Sequence, residues 1–473
     1  MLQLCRKIRD TGEAALDTET TGLDRRRDYV LFWSLAPDDQ SRYCLSERML
    51  PIYDKELSQD ANIKWYFTNQ TFDFSMMENS GVRAPVGDSF CTLAMDWLYD
   101  ENRQGRHGLK ETSMDHLGLR MKDFKETFPR ERGQTIQEVL IKAMQETPEK
   151  AHSYASFDAY ATFRVFKHLK KELENIQSSG GWPLWDYFMG TEMPFTRVLH
   201  NCCRRGIMVD VGYLEELSPI LTASIEQAQM DLNKMAGKEV NPNSPKQLQW
   251  LFFEKLGLKP IKYTKGGASG KQSPSTDKSV LERFADEGIE AADKVQEIRK
   301  LTKMRGTYVD GLRKWVDDEL RIHPTMTQHV TVTGRLSSVD PNLQNIPRPG
   351  TDQWGIRHAF MPKDNHTLLV IDYEQLEMRL MAHFSGDKNM IDVINRGWDI
   401  HTGTASLMFG YKYEDIIAAT KKKKAATKDS SIILTELEKA MLFARQASKN
   451  IGFGQQLGRS KTCSKRGNLS ARA

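Results

Sequence analysis

Asp17 and Glu19 are the first residues whose type and spacing suggest chemistry. They follow the apolar run Ala14-Ala-Leu16, which reads as a strand, and residues i and i+2 of a strand project to the same side of its pleat. Two carboxylates so placed can grip one cation. Further along come Asn69-Gln-Thr-Phe-Asp73 and Tyr154-Ala-Ser-Phe-Asp158. In the latter, tyrosine and aspartate are four apart and share a helix face. An Asp-x-Glu pair alone is common in a chain of this size, and an isolated carboxylate is ordinary surface. Three such pieces in order within the first 160 residues are a stronger signal. A second group lies far downstream, where Arg445, Lys449 and Phe453 recur every fourth residue, each about 40° around a helix from the one before. One face then offers two cations for a triphosphate and a ring for a base to stack on, although an amphipathic helix with two snorkelling cations would look the same.

The elements that must position these groups belong to a long chain. At 473 residues it exceeds one compact core, so two or three domains are expected. Apolar residues make up 39% and charged residues 27%, and nine Trp, twenty Phe and fourteen Tyr exclude a disordered polymer. No apolar run approaches the roughly 18 residues of a membrane span, and the N-terminus shows no secretory leader. Six scattered cysteines without a CxxC pair suit a reducing cytoplasm and argue against a disulfide scaffold or a structural zinc protein. The net charge is +4, yet Arg459–Ala473 alone carries five cations and no acid, leaving residues 1–458 one charge negative. Total charge therefore says nothing for a nucleic-acid partner.

To about residue 170, short apolar runs such as Tyr29-Val-Leu-Phe-Trp33 alternate with helical stretches, an α/β pattern. Gly180-Gly-Trp-Pro183 is a plausible boundary. Residues 187–320 read as helical, with Leu248, Leu251, Phe252 and Leu256 on one face and a Gly/Ser/Lys-rich loop at 264–275. Residues 320–395 return to α/β, with Thr367-Leu-Leu-Val-Ile-Asp372 expected as a buried strand ending in an acid. Residues 400–458 read as helix, broken by a solvated lysine loop at Lys421–Lys424. No internal repeat is visible.

The acids and the tyrosine of the first segment resemble the tyrosine-bearing branch of the DEDD-type 3′–5′ exonucleases. The resemblance implies that Asp17, Glu19, Asp73 and Asp158 bind two Mg²⁺ or Mn²⁺ ions, with Tyr154 orienting the attacking water and Asn69 helping to hold the terminal nucleotide. Two hard cations roughly 4 Å apart need several oxygen ligands and together stabilise the attacking and leaving oxygens of a phosphodiester.

A second resemblance covers nearly the whole chain, from Asp17 to about Gly458. It is carried by Thr333-Gly-Arg-Leu-Ser-Ser-Val-Asp-Pro-Asn-Leu-Gln-Asn-Ile-Pro347, Asp372-Tyr-Glu-Gln-Leu-Glu-Met-Arg379, Asp399-Ile-His401 and Arg445-Gln-Ala-Ser-Lys-Asn-Ile-Gly-Phe-Gly454. Ser244-Pro-Lys-Gln-Leu248 and the stretch from Arg299 to Val309 add to it. Together these are similar to family A DNA polymerases, the class of bacterial DNA polymerase I and many phage replicases. The fold implied is an α/β ribonuclease H-like exonuclease domain, then a largely α-helical thumb, then an incomplete α+β palm and fingers of a right-hand polymerase. The segments would be exonuclease 1–180, thumb 187–320, partial palm 321–395, partial fingers 396–458 and a basic tail 459–473.

The resemblance implies that Asp372 binds the catalytic metals, two ions per active site, and that Lys449 serves catalysis and nucleotide binding. It likewise implies that His401, Arg445 and Lys449 meet the triphosphate, that Glu377 is the steric gate against a ribose 2′-OH, and that Phe453 bears on the 3′ carbon. By the same resemblance Arg335, Gln344 and Asn345 would line the minor groove of the primer–template, where acceptors are nearly sequence-independent, and Arg357 would add a backbone contact. The implied partners are primer–template DNA and dNTPs, in a cytoplasm that is the host's if the gene is viral. A start of the exonuclease almost at residue 1 favours a phage origin.

The pattern then departs from the family. Leu457 stands where a tyrosine is expected, the stretch after Gly458 has no helical or strand period, and the later His-Asp-Glu turn is missing. The expectation is a C-terminally truncated polymerase, cut by a frameshift, an intervening element or a split gene, with a complementing chain as a possible partner. On that reading the chain synthesises little DNA and acts as a proofreading exonuclease, or alternatively only binds primer–template.

Overall fold

The structure is a computed structural model that describes residues 1–473 except 104, 178–180, 266–271, 349–351, 427–431 and 457–473, and only the backbone of 450–456. Leu457 and the basic tail thus lie outside the described residues, as does the middle of the 264–275 loop. The described chain divides into two units, Met1–Thr367 and Leu368–Ala473.

The first unit is organised around β1 (Glu13–Thr20), the centre of a five-stranded sheet. With β2 (Val30–Ala36), β3 (Tyr43–Ser46), β4 (Lys64–Phe67) and β5 (Ser89–Cys91) the order is β3-β2-β1-β4-β5. The sequence Ala14-Ala-Leu16 is buried on both faces because helices cover both. Ala14 and Leu16 pack with Leu4 and Ile8 of the helix Leu2–Thr11, while Ala15 between them packs with Ala159, Phe163 and Phe166 of the 28-residue helix Pro148–Asn175. Tyr53 wedges between Trp33 and Trp65, edge-on to both rings at 5.5 and 5.6 Å.

Register decides what β1 exposes. β1 runs antiparallel to β2 along most of its length, but its parallel pairing with β4 covers only Glu13–Ala15. Asp17 and Glu19 therefore project beyond the carboxyl end of that pairing, where the chain leaves β4 for the helix Gln70–Asn79. The crevice outside strand ends, where successive connections diverge, is where open α/β sheets hold ligands.

Beyond the sheet the unit is mainly helical. The helices Val211–Ala236, Lys278–Asp286 and Glu290–Lys303 enclose Leu232, Leu251, Phe252, Phe284 and Val295. Leu248, Leu251 and Phe252 are wholly buried as expected, but Leu256 is 40% exposed, because the helix Pro245–Gln249 loosens into a wider turn over Trp250–Lys255. Around the 264–275 loop, Thr264 and Ser273 pair through backbone and side chain. A small sheet joins β6 (Ile207–Val209), β7 (Arg321–Ile322) and β10 (Phe360–Met361), and a hairpin joins β8 (Thr325–Thr327) to β9 (Ser337–Val339).

The described residues of the second unit hold helices: Leu376–Ser385, Lys388–Asn395, Ile400–Phe409, Tyr413–Ala426 and Glu436–Gln456. Two expectations fail here. The run Leu368–Ile371 is not a buried strand: it has no strand assignment, and Leu369, Val370 and Ile371 are 82%, 88% and 79% exposed. A strand is held by a neighbour that satisfies its amides and covers its face, and no described strand lies beside this run. Nor is Lys421–Lys424 a loop, since it lies within Tyr413–Ala426. Lysine is a good helix former, and Ile416 and Ala419 bury the apolar side of that helix.

Candidate active site

Pleat alternation sends Asp17 and Glu19 to one face of β1 and Thr18 to the other. The helix Pro148–Asn175 crosses the sheet on the Ala15 side and delivers Asp158, 139 positions after Glu19 in sequence. Carboxylate oxygens of Asp17, Glu19 and Asp158 all lie within 4.8 Å of one another. Asp73, in the first turn of Gln70–Asn79, is 3% exposed and accepts a 2.7 Å hydrogen bond from the Thr18 hydroxyl. It stands outside the triad of oxygens yet close enough to raise the pKa of both Asp17 and Glu19.

Recessed anions this close resist ionising together. Burial raises the Asp17 carboxyl well above its usual range, and the charges of Asp158, Asp73 and Glu19 add to the shift. Burial, then Asp158, pushes Glu19 up to about 8. Burial likewise takes Asp73 and Asp158 to about 7, against the pull of Thr18 and Arg25 on the former and of Lys110 on the latter. An all-oxygen donor set with an excess of negative charge fits a hard divalent cation, which would offset the burial that raises all four values and the repulsion that adds to it at Asp17 and Glu19.

Tyr154 lies one helical turn before Asp158, packed edge-on against Phe124 and Phe128 at 6.0 and 5.5 Å. Burial, then the charge of Asp158, raises its phenol, so the hydroxyl keeps its proton at neutral pH. Tyr154 and Asp158 line a pocket of about 330 Å³ whose other walls include Arg42, Arg120, Lys122 and Lys150. Asn69 precedes the first helical residue, makes no side-chain cap, and lines a small cavity with Gln328 and His329.

The other candidates fall into two places. Arg335, Gln344, Asn345 and Arg357 lie exposed on the first unit. Thr331 Oγ1 donates to the Arg335 carbonyl at 2.6 Å, Gln344 Nε2 to the Leu336 carbonyl at 3.0 Å, and Arg357 Nε to the Pro347 carbonyl at 2.6 Å. These bonds tie the motif from 333 to 347 into one surface.

In the second unit, Asp399 caps the helix Ile400–Phe409 and accepts from Thr402 N at 2.8 Å, Arg445 Nη2 at 3.1 Å and Gln375 Nε2 at 2.6 Å. Burial opposes its charge, but the Thr402 hydroxyl and Arg445 hold its carboxyl below the usual range. His401 is buried beside it; burial lowers its pKa against the opposing charge of Asp399, and Arg445 and Lys449 lower it further, so these three candidates are neighbours. Asp372 and Glu377 are exposed, Asp372 in an irregular stretch and Glu377 in the first turn of Leu376–Ser385. The Phe453 side chain lies outside the described residues.

Two family models match. Residues 211–431 match DNA polymerase family A, and residues 1–174 match a 3′–5′ exonuclease. The chain belongs to DNA polymerase family A. It is 34% identical over 369 residues to DNA polymerase I of Treponema pallidum, covering 78% of this chain and 35% of that protein. Against DNA polymerase I of Pseudomonas aeruginosa the figures are 29% over 434 residues, 87% and 45%. The chain thus spans less than half the length of these curated relatives. Its fold is similar to the POL domain of Pol1 from M. smegmatis, solved in complex with DNA primer-template and dNTP, with a TM-score of 0.77 at 22% identity over 99% of this chain and 72% of that one.

The family A resemblance did not point to Lys110, whose charge lowers the pKa of Glu19 and Asp158 and which pairs with Asp123 at 3.6 Å. No local pattern marks it, because only packing of the helix Leu109–Leu117 brings it near. Lys150 was detectable, since it precedes Tyr154 and Asp158 at the same four-residue spacing.

Proposed function

We propose that this chain is part of a template-directed DNA polymerase for DNA replication, and that its first unit removes 3′-terminal nucleotides as a proofreading exonuclease. The observation that carries the exonuclease reading is the convergence of Asp17, Glu19 and Asp158 within 4.8 Å. Asp17, Glu19, Asp73 and Asp158 would hold two Mg²⁺ or Mn²⁺ ions, which when bound supply charge to both the attacking and the leaving oxygen of a phosphodiester. Tyr154 keeps its proton and orients water by donating or accepting a hydrogen bond. The cations around the neighbouring pocket draw the DNA backbone toward the acids.

For synthesis, Asp372 is read as a metal ligand, and His401, Arg445 and Lys449 as the triphosphate site, with Lys449 also serving catalysis. Glu377 and Phe453 would check the sugar of the incoming dNTP. Arg335, Gln344, Asn345 and Arg357 would grip the primer–template. The segments 1–180, 187–320, 321–395 and 396–458 serve in this reading as exonuclease, thumb, palm and fingers. A complementing chain that pairs with the exposed run Leu368–Ile371 is part of the proposal. A cytoplasmic location, the host's if the gene is viral, belongs to the same proposal.

The test is a gel assay on a 5′-labelled primer–template with Mg²⁺, with and without dNTPs. Shortening is expected, and Asp17→Ala should reduce it by at least about 10³-fold, since loss of an anionic ligand commonly costs several orders of magnitude. Shortening that persists in Asp17→Ala or in EDTA would overturn the assignment.

A further inference from the structure

A cleft of about 400 Å³ opens on the first unit between the loop that follows β1 and the segment that follows the helix Asp310–Arg313. Leu23, Arg26 and Arg27 form one wall, and Lys314 and Trp315 the other. The Arg26–Asp317 ion pair, at 3.0 Å, joins the walls, and His323 also meets Asp317, at 2.9 Å. Arg27 and Lys314 are exposed and make no side-chain hydrogen bond or ion pair with the described residues. Trp315 is 46% exposed, a large ring left facing solvent between these cations.

An exposed indole flanked by uncommitted cations is the surface on which single strands bind: bases stack on the ring and phosphates meet the charges. Asp24, Asp317 and Asp340 also line the cleft, against the four cations Arg25, Arg26, Arg27 and Lys314, so its lining carries one net positive charge. The loop leads to the acids. It leaves the strand that carries Asp17 and Glu19, and its Arg25 donates to Thr71 Oγ1 at 3.0 Å and lies over the Phe72 ring at 5.4 Å, beside Asp73 on the same helix.

We propose that this cleft binds single-stranded DNA a few nucleotides upstream of the bond cut at the acid cluster, with Trp315 stacking a base and Arg27 and Lys314 holding phosphates. The proposal rests on the exonuclease reading for its direction, but its test does not require cleavage. Anisotropy of a 5′-fluorescein oligo(dT) in EDTA measures binding to the full chain, and Trp315→Ala should weaken it roughly 5- to 150-fold while Trp315→Phe retains most of it. The double variant Arg27→Ala/Lys314→Ala should lower the slope of log affinity against log salt by about 1.4, close to 0.7 per phosphate contact. All three side chains are exposed, so melting temperatures should match wild type.

With Mg²⁺, hydrolysis of the dinucleotide pdTpdT, too short to reach the cleft, should be unchanged in every variant, while KM for the longer oligomer rises. Affinities within twofold of wild type and an unaltered salt slope would overturn the cleft. If oligo(dT) binding depends on Trp315 but Asp17→Ala leaves shortening intact, the exonuclease reading fails and the cleft stands.

Discussion

Asp158 and Asp372 belong to the same residue type and were read alike, yet the two units treat them differently. Asp158 rides on a 28-residue helix whose inner face, through Ala159, Phe163 and Phe166, is buried against a five-stranded sheet. That packing holds it against Asp17 and Glu19 at the cost of burying carboxylates, which raises the pKa of all three, with charge repulsion adding to the shift at Asp17 and Glu19. Asp372 closes a run of exposed apolar side chains, in a stretch without regular structure, and makes no hydrogen bond or ion pair with the described residues. Packing sets Asp158 beside other carboxylates, whereas the proposed role of Asp372 rests on its motif.

The contrast can be tested by breaking each setting. Asp372→Ala should leave primer shortening unchanged, against the large loss expected for Asp17→Ala; a comparable loss would mean that the two acids serve one site. The next largest effect is expected inside the first core. Phe166 is 2% exposed and stacks on Tyr66 with ring centres 3.7 Å apart, so Phe166→Ala should cost about 3–5 kcal/mol in denaturant unfolding. A cost under about 1 kcal/mol would show that the Asp158 helix is not anchored by this packing.

A smaller effect concerns pH. The folded-state values of about 7 for Asp73 and Asp158 and about 8 for Glu19 exceed the ordinary 3.8 and 4.5, so the folded, metal-free chain holds protons that the unfolded chain has released. The stability this confers is fully present below about pH 4 and is lost as pH rises through about 7 to 8. Mg²⁺ can take the place of those protons, so the rise in melting temperature on adding Mg²⁺ should be greater at pH 8 than at pH 6. Asp17→Asn should remove most of it, and an equal rise at both pH values would contradict the repulsion described here. The smallest effect is expected in the second unit. Ile371→Ser, at a side chain 79% exposed, should change stability by no more than about 0.5 kcal/mol. A larger loss would show that the run is packed in solution.

Family and fold class were legible in the motifs, because Thr333–Pro347, Asp372–Arg379 and Asp399–His401 are long and specific strings. Within the site, whatever depends on local backbone geometry could also be read. The pleat of β1 sets Asp17 and Glu19 on one face, and one helical turn sets Tyr154 beside Asp158. Only the tertiary structure decided that a helix beginning at Pro148 crosses β1 so that Asp158 meets Asp17, that β4 stops pairing at Ala15 and leaves the acids open, and that Lys110 joins them. It also decided against the strand at 367–372: hydrophobicity is a property of a segment, but burial is a property of what lies beside it, and no described strand lies beside that run. Periodicity is encoded residue by residue, whereas convergence across a hundred or more residues depends on the whole core closing, and so on packing that no local pattern contains.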